Sequence, residues 1–176
     1  MDGDHLLSEA RELVLRPLTV QAFAAFGDVV TSAGGQGHTI NAGTSVRVEM
    51  PAPDVLGAQG RPSLSVFRAQ AVQLPIMVRE LERHRLGSQT FLPLGSTPFV
   101  VVVALGDKAP DTKTLAAFLA DGHCGVTFKR DVWHHPLLAL ADGDVVVIER
   151  HGEQLDCEVA LLERVARVAV ESSNGL

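Results

Sequence analysis

The chain is a succession of short apolar runs, and each run is bounded by glycine, proline or another turn-forming residue. Its 16 glycines and 9 prolines are spread along all 176 residues. The longest run, FVVVVAL at 99–105, has the length of a single strand. Runs of this kind are typical of β-strands, because an amphipathic helix repeats its apolar residues every three to four positions. The pattern predicts a mainly β protein with a closed or sandwiched antiparallel sheet.

One domain is expected, since ~100–200 residues per domain is usual. The predicted strands are 64–68, 76–84, 90–93, 99–105, 126–129, 137–140, 144–149 and 157–162. Two short helices are also predicted, and the second of them interrupts the strands. The first covers 19–26, with Thr19 as N-cap and Gly27 as the stop. The second covers 111–120, where Leu115, Phe118 and Leu119 have helical spacing.

The charge balance excludes one class of partner. Fifteen Lys and Arg against 21 Asp and Glu give a net charge of −6, and no basic run is present. We therefore expect no nucleic-acid binding. We also expect no membrane association, since no stretch approaches the ~20 apolar residues that span a bilayer. An acidic start without a signal peptide and only two cysteines, Cys124 and Cys157, predict a cytoplasmic protein.

A first polar cluster lies in the predicted strand 76–84. Alternate residues of a strand share a face, so Glu80, Glu82 and His84 should point the same way. Two carboxylates and an imidazole facing a barrel interior would need a ligand, water or partners, because unpaired buried charge is costly. The alternative is a solvated edge strand on which Glu and Arg alternate.

A second cluster is KRDVWHHP at 129–136. Neighbouring residues of an extended chain face opposite sides, so only one of His134 and His135 can join a given site. A histidine held between Trp133 and Pro136 is well suited to be a metal ligand or a general base. The alternative is a structural histidine whose ring nitrogens are both hydrogen-bonded.

These two clusters together resemble a degenerate form of the two cupin motifs, in which H-x-H, a Glu and a later His converge on a divalent metal inside a small β-barrel. Glu82, His84, Gln89 and His134 stand at the four positions. The resemblance implies a cupin-like antiparallel barrel or jelly roll. It also implies a divalent metal such as Ni, Zn or Mn, although Gln is a weak ligand.

A longer resemblance covers residues 13–162. LRPLTVQAFAAFGDVV, HTINAG, FRAQ at 67–70, LERHRLGSQTFLPLG, FVVVVALGDKAPD, TLAAFLADG and GVTFKRDVWHHPLLAL follow one another in this order. The chain thereby resembles the ureidoglycolate lyase family, formerly called ureidoglycolate hydrolase. The implied organisation is an N-terminal extension at 1–12, one domain at 13–163 and a C-terminal tail at 164–176.

The resemblance implies a homodimer that cleaves ureidoglycolate to glyoxylate and urea in allantoin (purine) degradation. Such a reaction needs an anchor for the substrate carboxylate, for which Arg68 and Arg130 are the candidates, and proton transfer, for which His84, His134 and Glu82 are the candidates. Gln89 and Asn41 are further candidate substrate contacts, and Asn41 and His38 of the HTINAG loop could close over the site. Arg68 could equally be a surface residue, Arg130 a rim ion pair with Asp131, and Asn41 a loop-stabilising residue.

Two other functions remain open from the residues alone. One is a different cupin-type enzyme, such as a metal-dependent isomerase or dioxygenase that acts on another small acid. The other is a non-catalytic cupin that binds a small metabolite.

Overall fold

The structure is a computed structural model, and it describes residues 10–170. Most of the expected N-terminal extension and the last part of the expected tail, residues 1–9 and 171–176, lie outside the described residues. No helix between residues 10 and 170 is long and apolar enough to cross a membrane.

Strands dominate the described chain. They are β1 (Arg11–Pro17), β2 (Gly27–Val30), β3 (Gly37–Ile40), β4 (Ser45–Val48), β5 (Arg61–Ala69), β6 (Ile76–His84), β7 (Gln89–Leu94), β8 (Phe99–Ala104), β9 (Ala116–Ala120), β10 (Gly125–Phe128), β11 (Trp133–His134), β12 (Leu138–Ala139), β13 (Gly143–His151) and β14 (Cys157–Ala169). The helices are α1 (Val20–Phe23) and three 3-10 turns at Asn41–Gly43, Gly57–Gln59 and Thr112–Thr114. This composition confirms the predicted mainly β class with a few short helices.

Six strands close into a barrel. The larger sheet has the order β11-β6-β14-β1-β9-β8-β12, and β11 pairs with β8 as well as with β6, which closes the ring. The interior is filled by apolar side chains, among them Val78, Leu81, Val102 and Trp133. The barrel is not wholly antiparallel, because β1 pairs in parallel with both β14 and β9. A short hairpin turn can join only antiparallel strands, and no such turn connects β1 to β14 or β9. Strand β1 can therefore run parallel to both of them.

A second sheet, β2-β10-β7-β13-β5, packs against the outer face of β8 and β9. The core between them is rich in aromatic rings, and Phe23 of α1 meets Phe118 edge-on at 5.7 Å between ring centroids. The fold therefore has two apolar cores on opposite sides of β8 and β9. The cupin-like architecture predicted from the sequence is confirmed.

The predicted helix at 111–120 is wrong. Only Thr112–Thr114 forms a 3-10 turn, and Ala116–Ala120 is strand β9. Ala117 points into the barrel core and Phe118 into the second core, so both faces of β9 are buried. An apolar run that is buried on both faces shows no alternation, and periodicity alone cannot distinguish it from a helix.

The predicted helix at 19–26 is present but shorter. Thr19 accepts a hydrogen bond from the Ala22 amide at 3.1 Å, as expected of an N-cap, but the helix ends at Phe23. Gly27 begins β2 instead of ending the helix. A Cβ atom at Gly27 would lie 2.0 Å from the Thr127 carbonyl oxygen, so glycine permits the close approach of β2 to β10.

The last described strand is long. β14 has 13 residues and continues to Ala169, and its second half pairs with β1 as well as with β6. Within the segment expected as a tail, residues 164–169 thus form part of the barrel wall. The extended pairing with β6 places β14 beside the candidate site.

Candidate functional site

Strand β6 changes face in its middle. Val78 and Leu81 both point into the barrel, although they are three residues apart. The register between β6 and β14 shifts at the same place, between Leu161 and Ala166 of β14. This irregularity turns Glu82 and His84 away from the barrel interior, toward the second sheet. A bulge of this kind is a common way to re-aim side chains near a functional site.

Strand β11 brings the third residue. His134 is the direct partner of Glu82 in the β6–β11 register, and Trp133 before it points into the barrel core. His134 therefore faces outward beside Glu82, on the side that the second sheet covers. Of the two adjacent histidines, the structure brings His134 to the site, whereas the His135 ring lies next to the Pro136 carbonyl.

Glu82, His84 and His134 form a compact cluster. Their ligand atoms all lie within 4.8 Å of one another. The rings of His84 and His134 are 5.4 Å apart, and Oε1 of Glu82 is 3.6 Å from Nε2 of His134. Glu80, which the alternation placed on the same face, is exposed and stays outside the cluster.

His134 is held rigidly. Its ring stacks on Phe128 at 4.3 Å between centroids, and its Nδ1–H donates to the Val132 carbonyl at 2.9 Å. Burial lowers the pKa of His134 to about 3, with the positive fields of His84 and His135 as smaller contributions. The ring is therefore neutral at pH 7, and Nε2 presents a lone pair to the cluster.

Gln89, at the start of β7, faces His134 from the second sheet. Its Nε2 donates to a Glu149 carboxylate oxygen at 2.9 Å, which leaves Oε1 at 3.1 Å from Nε2 of His134. Glu149 was not among the predicted site residues. The sequence did carry a signal, because Val145 and Val147 point into the second core and the same alternation continues to Glu149.

The site is rich in acceptors. Four acceptor atoms lie close together: a Glu82 oxygen, a ring nitrogen of His84, Nε2 of His134 and Oε1 of Gln89. Nε2 of His84 is buried without a hydrogen-bond partner among residues 10–170. Two imidazoles, a carboxylate and an amide oxygen form a donor set that suits a first-row divalent ion. These residues therefore fit a metal ion.

Cys157 adjoins the cluster. It is the register partner of His84 on β14, and its Sγ lies 3.6 Å from Oε2 of Glu82. Burial, followed by the charge of Glu82, raises the pKa of the Cys157 thiol to about 11. The group is thus a neutral thiol at pH 7 that donates its S–H to the carboxylate.

Neither of the two predicted arginine anchors is part of the Glu82–His84–His134 cluster. Arg68 is on the outer face of β5, its side chain is 91% exposed, and its ion pair is with Asp144 at 3.7 Å. Asp144 is five residues along β13 from Glu149, a distance of ~17 Å. Arg130 is closer to the cluster, since the Asp131 amide next to it donates to the His84 carbonyl at 2.9 Å. Arg130 itself forms an ion pair with Asp54 at 2.5 Å.

Asn41 lies at the tip of the β3–β4 hairpin, with a positive φ of 52°. This hairpin forms a separate two-stranded sheet and borders a surface groove with Val30 and His123. Val30 pairs with Gly125, at the end of β10 opposite Phe128. Within its own chain the hairpin therefore lies at the far end of β10 from His134.

Comparison with known proteins identifies the family of the chain. A family model described as ureidoglycolate lyase matches residues 10–170. A ureidoglycolate lyase of Pseudomonas syringae pv. syringae is 42% identical over 151 residues, which cover 84% of this chain and 88% of the relative. One of Brucella anthropi is 42% identical over 148 residues, which cover 83% and 87%.

Two solved structures are more distantly similar. A dTDP sugar isomerase from Desulfovibrio desulfuricans G20 has a TM-score of 0.38 at 21% identity and covers 72% of this chain and 81% of its own. The Mycobacterium tuberculosis rmlC epimerase has a TM-score of 0.42 at 17% identity, with 81% and 70% covered. From the family match over all described residues, together with the identity to its curated members, the chain belongs to the ureidoglycolate lyase family.

Proposed function

We propose that this protein is a ureidoglycolate lyase, a carbon–nitrogen lyase that releases glyoxylate and urea from ureidoglycolate. The observation that carries the proposal is the 42% identity to a ureidoglycolate lyase over 84% of the chain. The Glu82–His84–His134 cluster supports it, because it supplies groups for proton transfer close together. We therefore propose that the enzyme acts in the degradation of allantoin and other purine products.

Cleavage of ureidoglycolate needs one proton removed and one proton delivered. Loss of the hydroxyl proton lets the C–O bond become the carbonyl of glyoxylate while the C–N bond breaks, and the departing urea nitrogen takes up a proton. Glu82 is the proposed base, since its carboxylate borders both histidines. His84 is the proposed acid, because the neutral, deeply buried His134 holds no proton to give at Nε2 at pH 7.

The substrate is an anion, yet Glu82 and Glu149 place two carboxylates around the cluster. A divalent metal, Ni, Zn or Mn, held by His134 and Gln89 beside Glu82 and His84 would supply the positive charge that offsets them and would polarise the substrate oxygens. In this role His134 and Gln89 act as ligands, which fits the inward lone pair of the former and the inward oxygen of the latter.

Arg130 is the proposed anchor for the substrate carboxylate, since its neighbour Asp131 is hydrogen-bonded to the His84 backbone. A planar guanidinium matches a carboxylate in two-point geometry, and Asp54 would hold Arg130 ready at the rim. Substrate contacts by Arg68 and Asn41 stay predictions. Arg68→Ala and Asn41→Ala test them through KM.

A cytoplasmic homodimer is the proposed state of the enzyme. Val159 and Leu161 of β14 are 60% and 73% exposed, and they lie on the same face as Glu82 and Cys157. Exposed apolar side chains on one sheet face are typical of an interface. Analytical ultracentrifugation tests the dimer, and Leu161→Lys should shift it toward the monomer.

The activity is tested by incubating the purified protein with racemic ureidoglycolate and following glyoxylate and urea above the spontaneous rate. We expect an enhanced rate that falls after treatment with a chelator and returns with Ni²⁺ or Mn²⁺. The absence of any enhancement, with and without added metal, would overturn the proposed activity.

A further inference from the structure

We propose that Glu149 is a positioning residue that sets the direction of the Gln89 amide, so that its oxygen and not its NH₂ group faces the Glu82–His84–His134 cluster. The inference rests on the proposed function, because it concerns how the same site is made ready for a cation. Glu149 lies on β13 and faces Gln89 directly in the β7–β13 register.

The direction of the Gln89 amide follows from what its neighbours can accept. An ionised carboxylate has no hydrogen to donate, so the end of the amide that lies 2.9 Å from Glu149 is the NH₂ group. The oxygen then necessarily points the other way, to the position 3.1 Å from Nε2 of His134. One carboxylate outside the cluster thus decides which atom the amide presents inside it.

His134 makes this choice consequential. The Val132 carbonyl can only accept, so Nδ1 of His134 carries the hydrogen of the neutral ring and Nε2 carries a lone pair. That lone pair faces the Gln89 oxygen and, at 3.6 Å, a Glu82 oxygen. Three acceptors face one another with no hydrogen between them. A cation bound among them would remove this conflict.

Without Glu149 the Gln89 amide could turn around and remove this contact between acceptors by itself. A reversed Gln89 would donate its N–H to Nε2 of His134, and this hydrogen bond would occupy the lone pair. The cluster would then lose both an oxygen ligand and a nitrogen ligand to an internal hydrogen bond. When a residue that orients a metal ligand is replaced, the metal affinity typically falls by ~10–100-fold.

The experiment uses the full chain stripped with a chelator and titrated with Ni²⁺ by calorimetry. Glu149→Gln keeps the size of the side chain but can accept or donate, so it no longer imposes one direction on Gln89. We expect its Ni²⁺ affinity to be ~10–100-fold below that of the wild type. Glu80→Gln removes the same charge from an exposed position on β6 and should stay within ~2-fold, since exposed charges are screened.

A Glu149→Gln variant that binds Ni²⁺ within ~2-fold of the wild type, with an unchanged melting temperature, would overturn the positioning role and leave the proposed metal site intact. If the wild type itself binds no Ni²⁺, the proposed metal site fails, and the orientation is then read without metal.

That reading is the ¹⁵N chemical shift of Nε2 of His134, with the signal assigned by its loss in His134→Ala. A reversed Gln89 in Glu149→Ala would donate to this nitrogen and move its shift upfield from that of the wild type, and this change supports the inference. Equal shifts in the two proteins would overturn it.

Discussion

The two faces of strand β6 differ in whether their polar side chains face partners of the opposite kind. On the barrel side Arg83 is 3% exposed, and it donates to Glu158 at 2.7 Å and to the backbone carbonyl of Asp107. Its guanidinium also lies 4.3 Å from the centroid of the Trp133 ring. On the other side Glu82 and His84 meet His134, and acceptor faces acceptor.

The difference separates a structural charge from a functional cluster. A buried charge that only holds the fold together is surrounded by partners of the opposite kind, because an unpaired one is costly. The groups that face Glu82 are Nε2 of His134 at 3.6 Å, whose ring is neutral at pH 7, and the neutral Cys157 thiol. We call the face of β6 that carries Glu82 and His84, next to His134, the unmatched face, and the face that carries Arg83 the matched face. We interpret the unmatched face as the one that binds an external charge, and the matched face as its structural support.

The largest effect is expected on the unmatched face. His84→Ala should lower kcat/KM by ~100- to 10,000-fold, which is the usual contribution of a proton-transfer group. Glyoxylate formation measures it, and the melting temperature shows that the fold is intact. His123→Ala, at an exposed position on the turn before β10, is the control and should leave the rate unchanged. A His84→Ala enzyme with more than a third of wild-type activity would contradict the proposed role.

The matched face should respond in stability. Arg83→Met removes the hydrogen bonds to Glu158 and Asp107 and the contact with the Trp133 ring, and we expect it to lower the free energy of unfolding by ~2–3 kcal/mol. Urea unfolding measures the loss. Arg47→Met breaks an exposed ion pair with Glu49 and should cost less than ~0.5 kcal/mol. Equal losses in the two variants would mean that the Arg83 contacts are no stronger than a surface pair.

A smaller effect is expected where β14 touches the unmatched face. Cys157→Ala removes the S–H that Glu82 accepts, and a hydrogen bond of ~1 kcal/mol corresponds to a decrease of ~5-fold in kcat/KM. Cys124→Ala changes the other cysteine of the chain, which contacts Asp121 and not the cluster, so its activity should not change. The same rate in both variants would show that the thiol does not orient Glu82.

The smallest effect concerns acid stability of the matched face. Hydrogen bonding to Arg83, and then to Arg85, holds the pKa of Glu158 below its usual value of 4.5. The unfolded chain therefore binds the proton first, so the stabilisation is complete above about pH 4.5 and is lost as the pH falls through the folded-state pKa.

Urea midpoints from pH 7 to pH 3 measure this dependence, with Glu158→Gln as the comparison. The gap between wild type and variant should narrow as the pH falls below 4.5. A gap that is constant with pH would exclude Glu158 as the titrating group.

Much of the fold was predictable because short apolar runs and turn residues are local signals. The strands at 76–84, 99–105 and 144–149 were located to within two residues. The run at 115–120 was not, since a strand that is buried on both sides has no period that a sequence can reveal. The difference is one of environment, which only the packed structure supplies.

The candidate site likewise contains residues that the sequence predicted and one that it did not. Glu82, His84, Gln89 and His134 were predicted from the sequence and lie together. Glu149 was missed, because its role depends on facing Gln89 across two strands that are 60 residues apart in the chain. Arg68 looked equally suitable in the sequence, but the pairing of β5 with β13 places it on the outer face of the second sheet.

The sequence by itself determined the strand-rich class, the family and the residue types that meet at the cluster, since all three depend on composition and order along the chain. The tertiary structure decided which way those residues point. A strict alternation from Val78 would have sent Glu82 and His84 into the apolar barrel. The shift of register against β14 turned them out toward His134, and such a shift depends on two distant strands at once.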